Sequence, residues 1–184
     1  MTGLRAEAAE AAVIARVRAG EAAAYAELVA AHAGAATRLA QLSGAGSDAD
    51  DVVQEAFVKA YVALDSFREG AAFRPWLLRI VLNESRNRHR GRERQLRREA
   101  RAGRMDERAG SPDPAEQAVL TERQRRLHAG IAALPEHYRE VVTCRYLMEL
   151  SEAETAVALD LARGTVKSRV HRALALMRAE LGDV

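Results

Sequence analysis

The chain is poor in the residues that staple, turn or stack a protein: one cysteine, four prolines, three phenylalanines, four tyrosines and one tryptophan among 184 residues. A lone thiol, Cys144, excludes a disulfide framework and any cysteine-ligated zinc site. Few aromatic or β-branched residues against a background of Ala, Leu, Arg and Glu exclude a β-sandwich or barrel and favour helix. No apolar run approaches the roughly 20 residues that cross a bilayer. The N-terminal stretch is alanine-rich and carries Glu7 and Glu10, unlike a secretory signal. His32, His89, His128, His137 and His171 show no metal-binding spacing, and there is neither a glycine-rich phosphate loop nor a GxSxG elbow. No enzyme and no cofactor are expected. The composition predicts a cytoplasmic, all-α protein with no membrane insertion.

Charge is present, but it is sorted. The net charge is only +2. Between Asp48 and Glu69 stand six acids and two bases; between Arg79 and Arg104, ten arginines and three glutamates; between Arg163 and Arg178, five bases and no acid. Two basic stretches point to nucleic acid at two places, and the acidic one to a different contact.

Helical periodicity divides the chain. Tyr25, Leu28, Val29, His32, Ala36 and Leu39 form one stripe, ended by Gly44 and Gly46. Asp48 suits the N-cap of a second helix with Val52, Val53, Ala56, Phe57, Ala60, Tyr61 and Leu64 inside. A loop over 66–72 leads to a third, with Phe73, Trp76, Leu77, Ile80 and Val81 inward and a basic continuation to Arg90. Residues 98–114 lack apolar periodicity and contain Gly103, Gly110, Pro112 and Pro114, which predicts a flexible linker between a domain over 1–97 and another over 115–184. In the second, Val119, Leu120, Leu127 and Ile131 precede a break at Leu134-Pro135, and Ser151 with Glu154 forms a capping box. Two short helices then meet at a tight turn containing Gly164, with Thr165 capping the last helix and Val166, Val170, Leu174, Met177 and Leu181 inside. That is a helix-turn-helix.

Two constellations carry chemistry. Arg163, Thr165, Lys167, Ser168, His171 and Arg172 lie on the outward, N-terminal side of the last helix, where such helices meet base edges and phosphates. Phe67, Phe73 and Trp76 precede Arg79, Asn83, Arg86 and Asn87, and stacking surfaces beside amide and cationic groups suit bases held out of a duplex. The acidic helix cannot favour DNA, so it is a solvated face or a docking site for a protein. Cys144 reads as a core residue.

The stretches DADDVVQEAFVKAYVALDSF (48–67), FRPWLLRIVLNESRNRHR (73–90) and LPEHYREVVTCRYLMELSEAE followed by RGTVKSRVHRAL (134–154 and 163–174) resemble bacterial sigma factors, in the short two-domain build of the extracytoplasmic-function (ECF) group. The resemblance covers roughly 21–90 and 117–181. It implies that the N-terminal half docks on the clamp helices of the RNA polymerase β′ subunit through Asp51, Gln54 and Glu55. It implies that the 66–72 loop, with Arg68, Glu69 and Gly70 at its tip, and the Asn83 helix face, on to Arg90, melt and bind the promoter −10 element. The C-terminal half would bind the β flap and set its last helix in the −35 major groove, with Arg145 and Ser151 joining the DNA-binding set. An anti-sigma factor is admitted as a further partner. Ala153, Thr155 and Thr143-Cys144 depart from the family's usual residues, which bears on packing in the C-terminal half. A stand-alone helix-turn-helix repressor would need a dimer to read two half-sites, and no spare amphipathic helix offers one. A helical adaptor for acidic proteins leaves the aromatic and basic 66–90 segment without a role.

Overall fold

The computed structural model describes residues 2–101 and 122–181. Every regular element among them is helical, and the chain falls into two compact units, Met1–His89 and Arg90–Val184. In the first, α1 (Thr2–Arg18), α2 (Tyr25–Leu42), α3 (Ala49–Ala63) and the start of α4 (Phe73–Arg101), which runs on past His89, are joined by short turns. The second contains α5 (Glu122–Ala133), α6 (Glu136–Val142), a wide π-helical turn over Thr143–Leu147, α7 (Glu152–Leu159) and α8 (Arg163–Leu181).

Alanine decides how α2 and α3 meet. Ala36, Ala40, Ala56 and Ala60 are all fully buried, and such small side chains let two helix backbones approach closely. Leu28 and Leu39 of α2, Val52 and Phe57 of α3, and Leu77, Leu78, Val81 and Leu82 of α4 fill the space around them. The Tyr25 hydroxyl closes the edge by donating to the Phe57 carbonyl at 2.7 Å, and burial pushes the phenol up to about 12. Tyr61, expected inside, is exposed and lies edge-on to Tyr25 at 5.0 Å.

Three helix-boundary expectations change. Asp48 precedes α3 but makes no capping hydrogen bond with its side chain, because a 3-10 turn over Gly46–Asp48 runs straight into the helix and holds Asp48 at φ −91°, ψ 6°, outside the extended conformation that an N-cap adopts. The basic helix α4 continues through Arg101, so residues 98–101 of the expected linker are helical; 102–114 lie outside the described residues, as do Val119 and Leu120. Thr165 does not cap α8: its own N–H and that of Val166 donate to Ala162 at 2.9 and 3.1 Å, placing it inside the first turn. In the second unit Ile131, Leu134, Val142, Ala173 and Met177 form the core, with Tyr138 and Leu147 against it. Cys144 is wholly buried, whereas Leu127, expected inside, is exposed.

Candidate nucleic-acid interface

In the first unit α4 separates its faces by helical period. Phe73, Leu77, Leu78, Val81, Leu82 and Ser85 are buried. Trp76, Arg79, Asn83, Arg86, Asn87 and Arg90 recur on the opposite side, where Asn83, Asn87 and Arg90 are exposed and the others half-buried. Asn83 is held rather than loose: its Oδ1 accepts from Arg86 Nη1 at 3.0 Å, which leaves the amide nitrogen as a donor. The preceding loop turns sharply, with Ala71 N–H donating to Arg68 at 3.2 Å and Gly70 at φ +73°, a conformation that suits glycine. Arg68, Glu69 and Gly70 are exposed.

The aromatic residues divide otherwise than their spacing suggests. Phe67 is 6% and Phe73 1% exposed, with ring centroids 5.8 Å apart. Both rings belong to the core, which corrects the expectation that they touch DNA; they hold the loop from beneath. Half-buried Trp76 packs on them at 4.9 and 5.5 Å and is the ring of the three with accessible surface.

Asp51, Gln54 and Glu55 are exposed on α3, but two of them are already engaged inside the unit. Arg88 lies 3.6 Å from Asp51, and Lys59 lies 3.4 Å from Glu55 and 2.7 Å from Glu84. Glu84 and Glu55 hold the Lys59 ammonium above its ordinary value. Between α3 and α4 is a groove of about 300 Å³ lined by Val52, Glu55, Glu84, Asn87 and Arg88. The acidic face and the amide-and-arginine face therefore share a border.

In the second unit the capping box forms as its sequence predicts: Ser151 Oγ accepts from Glu154 N–H at 3.2 Å, and Glu154 Oε2 from Ser151 N–H at 2.8 Å. The helix-turn-helix bend is made by Asp160 at φ 56°, ψ 49°, not by Gly164, which sits inside α8. Aspartate is one of the few side chains that tolerate the left-handed region. On α8, Val166, Ala173 and Met177 face the core while Lys167, Ser168, His171 and Arg172 are exposed. Four of the expected −35 residues are occupied locally. Ser151 is in the capping box, Arg145 Nη1 donates to the Leu150 carbonyl, Arg163 stands 3.8 Å from Glu152, and Ser168 Oγ donates to Thr165 at 3.1 Å. Lys167, His171 and Arg172 make no polar contact among the described residues, so their donors are available. Thr165 is half-buried.

Sequence reasoning missed α1. Its Ile14 and Val17 are buried, Glu10 Oε1 lies 3.0 Å from His32 Nε2, and Arg18 reaches the carbonyls of Leu64, Asp65 and Phe67. Two apolar residues among alanines make too thin a stripe to mark a packed helix by period.

A helical fold with a helix-turn-helix and a free basic face on its second helix defines a DNA-binding protein. The comparisons narrow that class. The chain matches the family models Sigma-70 region 2 over residues 28–95 and Sigma-70, region 4 over residues 120–177. It is 33% identical over 144 residues to the ECF RNA polymerase sigma factor SigW of Bacillus subtilis (strain 168), covering 74% of this chain and 77% of SigW. To the ECF RNA polymerase sigma-E factor of Escherichia coli (strain K12) it is 40% identical over 134 residues, covering 68% and 70%. Its structure resembles that of CnrH, solved in complex with the cytosolic domain of CnrY, with a TM-score of 0.70 and 30% identity over 93% of this chain and 96% of that one. The chain belongs to the ECF RNA polymerase sigma factors. It is a transcription initiation factor and not an enzyme. Among the described residues no helix is long and apolar enough to cross a membrane.

Proposed function

We propose that this sigma factor joins core RNA polymerase in the cytoplasm, reads −35 duplex DNA with α8 and captures melted −10 bases with the 66–72 loop and the outer face of α4. Lys167, His171 and Arg172 supply the free donors for the duplex contact, and Thr165 and Ser168 lie beside them. Arg145 and Ser151 brace the helix-turn-helix, while Arg163, exposed and 3.8 Å from Glu152, keeps further donors for DNA beside that pair. Asp51, Gln54 and Glu55 form the polymerase-docking face, toward the β′ clamp helices; the second unit binds the β flap. The likeness to CnrH, solved with a second protein, supports an anti-sigma factor as a further partner.

The observation that carries the −10 reading is Asn83, exposed and aimed by Arg86 in a stripe of amides and arginines. Extruding a base costs a few kcal/mol of stacking and pairing, which the protein recovers only by binding the base once it is out. The Asn83 amide nitrogen can donate to a Watson–Crick edge, its oxygen keeps a second lone pair beside the bond from Arg86, and Arg79 and Arg86 stand one turn away to hold the backbone.

Asn83→Ala should therefore leave closed, duplex-promoter binding near normal while removing about 1–3 kcal/mol of base recognition. Permanganate-reactive open complex should fall sharply, and a promoter with a pre-melted −10 bubble should restore much of the transcription. If the variant opens duplex promoters as well as the parent does, Asn83 is structural and the base-capture role is wrong.

A further inference from the structure

The turn that leads into the −10 loop is tied down by a residue far from it in sequence. Leu64–Ser66 form a 3-10 turn that ends where Phe67 adopts an extended backbone, φ −67° and ψ 126°. A helical end leaves carbonyls without intrahelical partners, and a cation placed there is favourable. Arg18, the last residue of α1, fills that place. Its Nε and Nη2 donate to the Leu64 carbonyl at 3.2 and 2.8 Å, and Nη2 also reaches Asp65 at 3.4 Å and the carbonyl of Phe67. The bonds to the Leu64 and Phe67 carbonyls are part-buried, so water competes for these two oxygens less than it does in the open. The next residues are Arg68, Glu69 and Gly70, the exposed loop tip.

Phe67 is thus gripped twice. Its ring is clasped by Phe73 and Trp76, and its carbonyl by Arg18. The ring fixes where the residue sits; the carbonyl fixes the direction in which the chain leaves it. We infer that Arg18 is a positioning residue for promoter recognition: its guanidinium sets the root of the 66–72 loop, and through it α1 governs which −10 bases the loop accepts. A planar fork suits the task, because several carbonyls converge and one donor cannot satisfy them all.

The inference rests on the −10 reading above, and its test keeps the two apart. Holoenzyme made with core polymerase is given a pool of single-stranded oligonucleotides randomised over the −10 positions, and the bound fraction is sequenced. Parent holoenzyme should enrich particular bases. Arg18→Ala should cut that preference by roughly fivefold or more, the fold-change of about 1 kcal/mol of lost discrimination. It should also speed amide hydrogen exchange at Ala71, whose N–H closes the loop on Arg68. Arg16→Ala is the control. Arg16 sits on the same helix but pairs with Glu21 and Glu27 at 2.6 and 2.8 Å, so its loss should leave preference and loop exchange unchanged. Should the alanine variant fold poorly, Arg18→Lys decides the matter, since it keeps the charge without the fork and should still relax the preference. Undiminished preference in both Arg18 variants, beside a selective parent, overturns the role of Arg18 alone. A parent that selects no base overturns the −10 reading and this inference with it.

Discussion

Thr155 shows what one side chain can cost. It is wholly buried on α7, and its Oγ1 has no hydrogen-bond partner among the described residues. A buried hydroxyl in that state forfeits its solvation, whereas an apolar group of the same shape does not. Thr155→Val should stabilise the second unit by about 1 kcal/mol, raising its melting temperature by about 4–8 °C for a domain of this size. An unchanged or lower midpoint in a thermal melt would show that the hydroxyl is satisfied. Ala153, the neighbouring departure from the family's usual residues, is exposed and bears on no core contact. The phenylalanines teach the complementary lesson. Phe67 and Phe73 beside arginines look like stacking platforms in one dimension, and only burial assigns them to the core and leaves Trp76 with exposed surface.

At the scale of elements, α1 is held onto the rest of its unit by a polar clasp as well as by Ile14 and Val17. His32 on α2 is buried against the Phe73 ring at 5.2 Å, with Glu10 of α1 facing Nε2 and Arg74 of α4 nearby. Burial holds the imidazole below its ordinary value of 6.5; the Glu10 carboxylate pulls the other way, lying off the line of a good hydrogen bond, and Arg74 adds to the depression. Below pH 6.5 the unfolded chain takes a proton that the folded one refuses, so the unfolded state binds more protons and stability rises with pH. The contribution is complete above that value and is lost as pH falls beneath it. Melting temperatures measured from about pH 7.5 down to about pH 5.5, still above the ordinary carboxylate range, should decline in the parent. His32→Gln should flatten the slope. Equal slopes in the two proteins would remove His32 from the account.

For the whole molecule, the question is reach. On the proposed reading the two units reach −10 and −35 elements somewhat over two helical turns apart, roughly 70–85 Å at ~34–36 Å per turn. Residues 98–101 continue α4 and rise only about 6 Å as helix. Residues 102–114 span at most about 45 Å when fully extended. Helix at the start of the linker thus shortens what the chain can bridge, and the widths of the two units must supply the remainder. Deleting about eight residues from Gly103 onward, beyond the end of α4 at Arg101 and roughly 25–30 Å of extended chain, should abolish transcription from two-element promoters while circular dichroism and thermal melts show both units folded. Full activity of the shortened protein would contradict the spanning geometry.

The helical class, the division into two halves, the helix-turn-helix and the capping box at Ser151 were legible in the sequence, because each depends on interactions between residues a few positions apart: apolar period, caps and breakers. The same holds for the outer face of α4, since a helix that buries Leu77, Val81 and Leu82 must turn Asn83, Asn87 and Arg90 outward. What needed the tertiary structure depends on groups distant in the chain. Arg18 meets Leu64 and Phe67, Glu10 meets His32, and Arg88 meets Asp51 only after the helices pack, and no local pattern encodes a contact across more than twenty residues. Which of the expected DNA-facing residues are free also needed the structure, although the partners are nearer in the chain, from three to eleven positions away, because side-chain direction rather than spacing decides which contacts form. Arg172 differs from Arg145 and Arg163 not in chemistry but in whether folding brings a carbonyl or carboxylate within reach.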